Sequence, residues 1–113
     1  MPKNFWLPWK AAGVVKLKSG ELETVKAILS QFVPEYEIRA FGSRVHGENL
    51  KPHSDLDLVI MNATPLEPRR YAELQEAFSE SDIPFKVDIV EWASISKEFQ
   101  ERINRHFETL NTP

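Results

Sequence analysis

The sequence contains no cysteine and no long hydrophobic run. Without cysteine the chain can form neither disulfide bonds nor metal sites with thiolate ligands, which suits a reducing compartment. The apolar residues near the N-terminus are interrupted by Pro8, Lys10 and Lys16. That segment therefore has neither the core of a signal peptide nor the length of a membrane span. Both absences predict a cytoplasmic protein.

The sequence also lacks a surplus of positive charge. The chain has 14 basic and 17 acidic side chains, for a formal net charge of −3. Proteins that hold the nucleic-acid backbone do so with a surplus of Lys and Arg, which displace its counterions. General nucleic-acid binding is therefore disfavoured for this chain.

The chain is long enough for one modest domain, since 42% of its 113 residues are hydrophobic. No internal repeat or low-complexity tract divides it. Residues 1–18 place Trp6 and Trp9 among prolines without a clear period, so we predict an irregular leader there and a single domain over residues 19–113. The two tryptophans either cover an apolar face of the domain or anchor a partner, and the sequence does not separate these alternatives.

The spacing of apolar residues predicts three helices and three strands in mixed order. Helical spacing covers residues 20–32, 67–79 and 96–110, and strand alternation covers residues 36–41, 55–60 and 85–90. Because helices and strands alternate along most of the chain, this order predicts an α/β fold.

Two acids, Asp55 and Asp57, share one face of the second predicted strand. Neighbours on one face of a strand lie roughly 6.5–7 Å apart, so two short carboxylates can converge on one ion. Magnesium is usually held by one or two carboxylates together with the phosphates of its substrate. Asp88 on the third predicted strand would complete the set. We therefore predict a Mg²⁺ site formed by Asp55, Asp57 and Asp88.

The turn after the first predicted strand carries Gly42 and Ser43. A strand that ends in Gly-Ser before a turn or short helix offers backbone N–H groups to a phosphate. Arg44 follows directly, and its guanidinium could reach a phosphate oxygen. The position of these residues ahead of the acidic strand favours a nucleotide phosphate site over an ordinary turn.

Plainer interpretations stay open for single residues. An isolated Asp-x-Asp is usually a solvated strand edge, and Gly42 is also a common kind of turn residue. Asp88 could be an outward strand residue paired with Lys86 or Arg39. The histidines have no metal-ligand spacing and receive no predicted role: His46, His53 and His106.

Together, the strings AFGSRVHGENLKPHSDLDLVI and KVDIVEW resemble the minimal nucleotidyltransferases of the DNA polymerase beta superfamily. The resemblance covers about residues 19–110 and depends on the Gly-Ser, the Asp-x-Asp and the later strand aspartate in combination. It implies a small mixed β-sheet with helices mainly on one face.

The resemblance also implies residue roles. Gly42 and Ser43 would hold the triphosphate of ATP, and Asp55 and Asp57 would bind Mg²⁺. Asp88 would be the third carboxylate, acting as a metal ligand or a base. An acceptor hydroxyl would attack the α-phosphorus and release pyrophosphate.

Short relatives of this kind are antitoxins that transfer AMP to a tyrosine of a helical HEPN ribonuclease toxin. The resemblance therefore implies a protein adenylyltransferase with a HEPN partner. The alternative is a catalytically idle nucleotide-binding module that neutralises its partner by contact, and the presence of all three aspartates favours the enzyme. Transfer to a small molecule or an RNA end is disfavoured, since the chain is acidic and has no acceptor domain.

Overall fold

The structure is a computed structural model that describes residues 15–47 and 54–113. Predictions for residues 1–14, including Trp6 and Trp9, and for residues 48–53, including His53, lie outside these ranges. Within them, no helix is both long and apolar enough to cross a membrane.

Helices and strands alternate through the described ranges, so the predicted α/β class is confirmed. In chain order the elements are α1 Ser19–Phe32, β1 Ile38–Phe41, α2 Ser43–His46, β2 Leu56–Ile60, α3 Pro68–Ser79, β3 Val87–Glu91, α4 Lys97–Arg105 and β4 Glu108–Asn111. A short 3-10 turn at Trp92–Ser94 links β3 to α4.

The four strands form one sheet in the order β3-β2-β1-β4. Strand β1 runs antiparallel to both β2 and β4, whereas β2 and β3 are parallel. The sheet is therefore mixed, as the resemblance implied. Its register places Phe41, at the end of β1, opposite Asp57 of β2, and places Asp57 beside Asp88 of β3.

Helices α1 and α3 cover one face of the sheet and enclose the main core. The helical contribution comes from Val25 and Leu29 of α1 and from Leu74 and Phe78 of α3. Alternation along the strands directs one set of residues to this face and the other set to the opposite face. In β2, Leu56, Leu58 and Ile60 belong to the core cluster, so Asp57 lies on the opposite face.

Helix α4 lies on that opposite face. The rings of Phe41 and Phe99 meet edge to face with centroids 5.7 Å apart, and Arg39 donates a hydrogen bond of 3.2 Å to Asn104. Ile103 of α4 is almost fully buried. Two long helices thus cover one face and α4 covers part of the other, which leaves a cleft beside the acids.

The prediction of a helix to residue 110 is wrong at its C-terminal end. Helix α4 ends at Arg105, His106 has an extended backbone, and β4 follows. The four-residue spacing to Phe107 imitated a continuing helix, but Phe107 packs beneath Arg39, whose Cζ is 4.2 Å from the ring centroid. Pairing with β1, which buries Leu110, decides the conformation instead of the local period.

The described end of the predicted leader packs on the domain. Val15 is buried in the core, and the backbone N–H of Lys16 donates a 2.6 Å hydrogen bond to the carbonyl of Arg44. Residues 15–18 have no helix or strand. These contacts attach the described part of this segment beside α2, while the boundary between leader and domain stays a prediction.

Candidate active site

The turn between β1 and α2 depends on Gly42. Its backbone has φ 81° and ψ −158°, a region that is accessible essentially to glycine alone. The Gly42 carbonyl accepts hydrogen bonds from Val45 and His46 and so starts α2. A Cβ atom on Gly42 would overlap Oδ2 of Asp57 and lie 3.2 Å from its Cγ. Glycine therefore permits both the turn and the close approach of the Asp57 carboxylate.

The three predicted acids meet at this turn. Asp57 and Asp88 are neighbours across the parallel β2–β3 pair, and Asp55 lies one residue before β2. Burial, followed by the charges of Asp88 and Asp55, raises the pKa of Asp57 to about 6. The structure thus brings Asp55, Asp57 and Asp88 within electrostatic reach of one another, with Asp57 the most enclosed.

Asp88 also has a partner of its own. The Lys86 ammonium lies 3.3 Å from Asp88 Oδ1, and the two side chains are 73% and 42% exposed. This is the ion pair that the plainer interpretation of Asp88 named. A solvated pair of this kind contributes little free energy and is easily broken, so it does not prevent the carboxylate from binding an ion.

The acids suit a magnesium ion whose coordination shell is completed by the phosphates of its substrate. In the described part of the chain, no three acid or histidine side chains form a ready-made ion cage. Magnesium needs none, because it keeps waters and takes phosphate oxygens as ligands. Burial, followed by the charges of Asp88 and Asp55, raises the pKa of Asp57 and so disfavours its anionic form. A divalent cation would stabilise the anionic form, so these residues fit Mg²⁺.

Arg44 has a different environment from the predicted one. The residue is only 5% exposed, and its guanidinium donates to the carbonyls of Ser54 at 2.8 Å and Lys16 at 2.9 Å. Its Cζ also lies 4.0 Å from the centroid of the Phe85 ring. A guanidinium used in this way joins three segments of the fold. We therefore leave Arg44 out of the proposed phosphate-binding set, because its donors are engaged inside the protein.

We expect Arg44→Lys to destabilise the protein by about 2–4 kcal/mol, because an ammonium cannot reproduce the two donors and the planar stacking. Urea unfolding measures this change. The matched control is Arg69→Lys, since the Arg69 side chain is 85% exposed. Equal stabilities of the two variants would contradict a structural role for Arg44.

A pocket of about 400 Å³ opens between the Gly42 turn and α4. Its lining comprises Phe41, Gly42, His46, Asp57, Phe99, Arg102, Ile103, Arg105 and His106. Arg102 and Arg105 of this set had no predicted role. Their only sequence signal is the basic last turn of α4, which also suits the negative end of a helix dipole. Their place beside Asp57 depends on how α4 packs across the sheet.

Comparisons with known proteins identify the family of this chain. The family model "Nucleotidyltransferase domain" matches residues 22–110. The "Probable protein adenylyltransferase MntA" of Haemophilus influenzae is 51% identical over 89 residues, which is 79% of this chain and 77% of that protein.

Solved structures show the same fold at lower sequence identity. A toxin–antitoxin structure with AMP-PNP has a TM-score of 0.67 at 22% identity, covering 81% of this chain and 73% of that one. A tri-AMPylated Shewanella oneidensis HEPN toxin in complex with its MNT antitoxin gives a TM-score of 0.63 at 21% identity, covering 86% and 74%. The predicted resemblance is confirmed, and the chain belongs to the nucleotidyltransferase domain family, an enzyme family.

Proposed function

We propose that this chain is a Mg²⁺-dependent protein adenylyltransferase that transfers AMP from ATP to a hydroxyl of a cognate HEPN toxin and thereby acts as its antitoxin. The observation that carries the proposal is the enclosed Asp57 carboxylate, which lies against the Gly42 turn and beside Asp88. The name of the Haemophilus influenzae relative supports adenylyl transfer to protein. The toxin–antitoxin complexes with the same fold support the partner.

Each residue of the site would have a distinct task. The Gly42–Ser43 backbone would hold the triphosphate where no side chain intervenes. Asp55 and Asp57 would hold Mg²⁺, which when bound supplies positive charge to the phosphates and the attacking and leaving oxygens. Asp88 would join them or accept the hydroxyl proton.

The proposed transfer forms one bond to phosphorus and breaks one. The acceptor oxygen forms a bond to the α-phosphorus, the bond from that phosphorus to the bridging oxygen breaks, and pyrophosphate leaves. The hydroxyl proton passes to a carboxylate of the acid cluster. The HEPN partner would present the hydroxyl to this site.

The test is transfer of label from α-labelled ATP, with Mg²⁺, to the cognate HEPN protein. Wild type is compared with the double variant Asp55→Asn, Asp57→Asn. We expect labelled partner with wild type and none with the variant, because the ion loses both predicted ligands. The control is Asp82→Asn, an exposed acid in the loop before β3, which should label normally.

Two results would decide against this proposal. Label that persists in the double variant would remove these acids from the mechanism. Absence of label with wild type, together with tight partner binding by both forms, would indicate the idle binding module instead.

A further inference from the structure

The basic end of α4 lines the same pocket as Asp57. Arg102 and Arg105 lie in the last turn of this helix, and both line the pocket together with Gly42 and Asp57. The Cζ atom of Arg102 is 5.7 Å from the ring centroid of Phe99, which forms part of the same wall. Two guanidinium groups and an acidic site therefore face one cavity.

Neither guanidinium group forms an ion pair with an acid in residues 15–47 or 54–113. Among the described residues, the carboxylate ion pairs of arginines involve Arg39, Arg69 and Arg70, and neither Arg102 nor Arg105 forms one. Interaction with the α4 dipole explains basic residues in a last helical turn but is satisfied on any side of the helix. Their position on the pocket side leaves two charged donors available to a ligand there.

The residues that line the pocket indicate the chemistry of its ligand. Under the proposed function, the Gly42–Ser43 backbone would hold the triphosphate and Asp57 would hold its cation. The triphosphate is polyanionic, so it favours further cationic donors in the same pocket. Arg44, the cation nearest in sequence, donates instead to the carbonyls of Ser54 and Lys16. Planar guanidinium groups match phosphate oxygens in pairs, so the arginines of α4 fit this part of the ligand.

We propose that Arg102 and Arg105 bind the β- and γ-phosphates of the nucleoside triphosphate and neutralise pyrophosphate as it leaves. This assignment rests on the proposed function for the identity of the reaction, but the polyphosphate site itself can be tested without any transfer. Helix α4 then contributes to substrate binding as well as covering the sheet.

The test is binding of three probes to the full chain in Mg²⁺ buffer: ATP, AMP and inorganic tripolyphosphate. In the double variant Arg102→Gln, Arg105→Gln, we expect the Kd values for ATP and tripolyphosphate to rise roughly 10- to 100-fold, as loss of hydrogen bonds to charged groups implies. The Kd for AMP should change less than about threefold, because AMP lacks both contacted phosphates.

The matched control is Lys97→Gln, Arg69→Gln. It also removes two positive charges, but from exposed positions outside the pocket lining. If the control variant weakens tripolyphosphate binding as much as the α4 variant does, the loss of affinity reflects net charge alone and the proposal is overturned. Equal weakening of AMP and ATP would also overturn it, since the arginines would then contact the nucleoside or α-phosphate.

These outcomes are independent of the enzyme assay. If wild type binds tripolyphosphate through Arg102 and Arg105 but labels no HEPN partner, the acceptor assignment fails and the polyphosphate site stands. If wild type labels its partner and the α4 variant binds tripolyphosphate normally, the transferase stands and this site fails.

Discussion

Asp57→Asn should reduce AMP transfer on the order of 10³-fold and, at neutral pH without divalent ions, make the protein more stable. The loss follows because an amide is a poor substitute for the carboxylate ligand of Mg²⁺, whose charge stabilisation is worth several kcal/mol. The gain follows because burial, followed by the charges of Asp88 and Asp55, raises the pKa of Asp57 to about 6. Removing the charge of Asp57 removes both the desolvation cost and the repulsion.

The pH dependence has a definite sign. The pKa of Asp57 rises from 3.8 to about 6 on folding, so the native state holds this proton more tightly than the unfolded chain. Wild-type stability should therefore fall relative to the asparagine variant as pH rises from about 4 to 6. Above that window we expect a difference of about 1–2 kcal/mol in favour of the variant, with solvent screening taken into account.

Urea unfolding at pH 4 and pH 7.5, with and without Mg²⁺ and ATP, measures both effects. Magnesium and nucleotide should stabilise wild type more than Asp57→Asn, since the variant has lost a ligand. Asp82→Asn is the control, because it makes the same chemical change at an exposed position. A variant less stable than wild type at pH 7.5 without divalent ions, or one that retains transfer, would contradict the prediction.

Gly42→Ala should cost about 3 kcal/mol or more and abolish transfer. Part of this cost is backbone strain, because alanine rarely adopts φ 81° with ψ −158°. The rest is the overlap of the new Cβ with the carboxylate of Asp57. Urea unfolding and the labelling assay together measure the outcome.

Two other glycines provide graded controls. Gly47 has φ 79°, but among residues 15–47 and 54–113 its added Cβ would meet only the Lys16 side chain at 3.4 Å, so Gly47→Ala should cost about 1–2 kcal/mol. A Cβ on Gly20 in α1 would meet nothing within 4 Å, and Gly20→Ala should be neutral or stabilise by about 0.5–1 kcal/mol. Any other order of the three variants would contradict this account.

A double variant isolates the overlap from the strain. In an Asp57→Ala background, the atoms that collide with the new Cβ are gone, while the Cβ at position 57 would lie at an ordinary 3.5 Å. Gly42→Ala should therefore cost less there than in wild type. Equal costs in both backgrounds would assign the whole effect to the backbone.

The spacing of apolar residues predicted most of the fold because the faces that it marks as apolar are the ones buried in the core. Alternation in β2 and β3 placed Asp57 and Asp88 on the face opposite the buried core residues, where the structure has them. Strand β4 was missed because the helical spacing runs on to Phe107. The pairing that makes the segment 108–111 a strand comes from β1, far away in sequence.

The site was predictable in its acids but not in its cations. Gly42, Asp55 and Asp57 belong to one contiguous motif, and Asp88 belongs to a later strand. The partners of Arg44, by contrast, are Lys16, Ser54 and Phe85, which no local pattern connects. The arginines of α4 reach the pocket only through the packing of that helix across the sheet.

The position of β4 in the sheet has a consequence for how the site is held together. Strand β1 pairs on one side with β2, which follows soon after it, and on the other side with β4, so that Ala40 must find Glu108. Pairing between segments so far apart in sequence is entropically slow. The acids therefore depend on the β1–β2 and β2–β3 pairings, whereas the arginines of α4 reach them through a segment that is held to the sheet by the β1–β4 pairing.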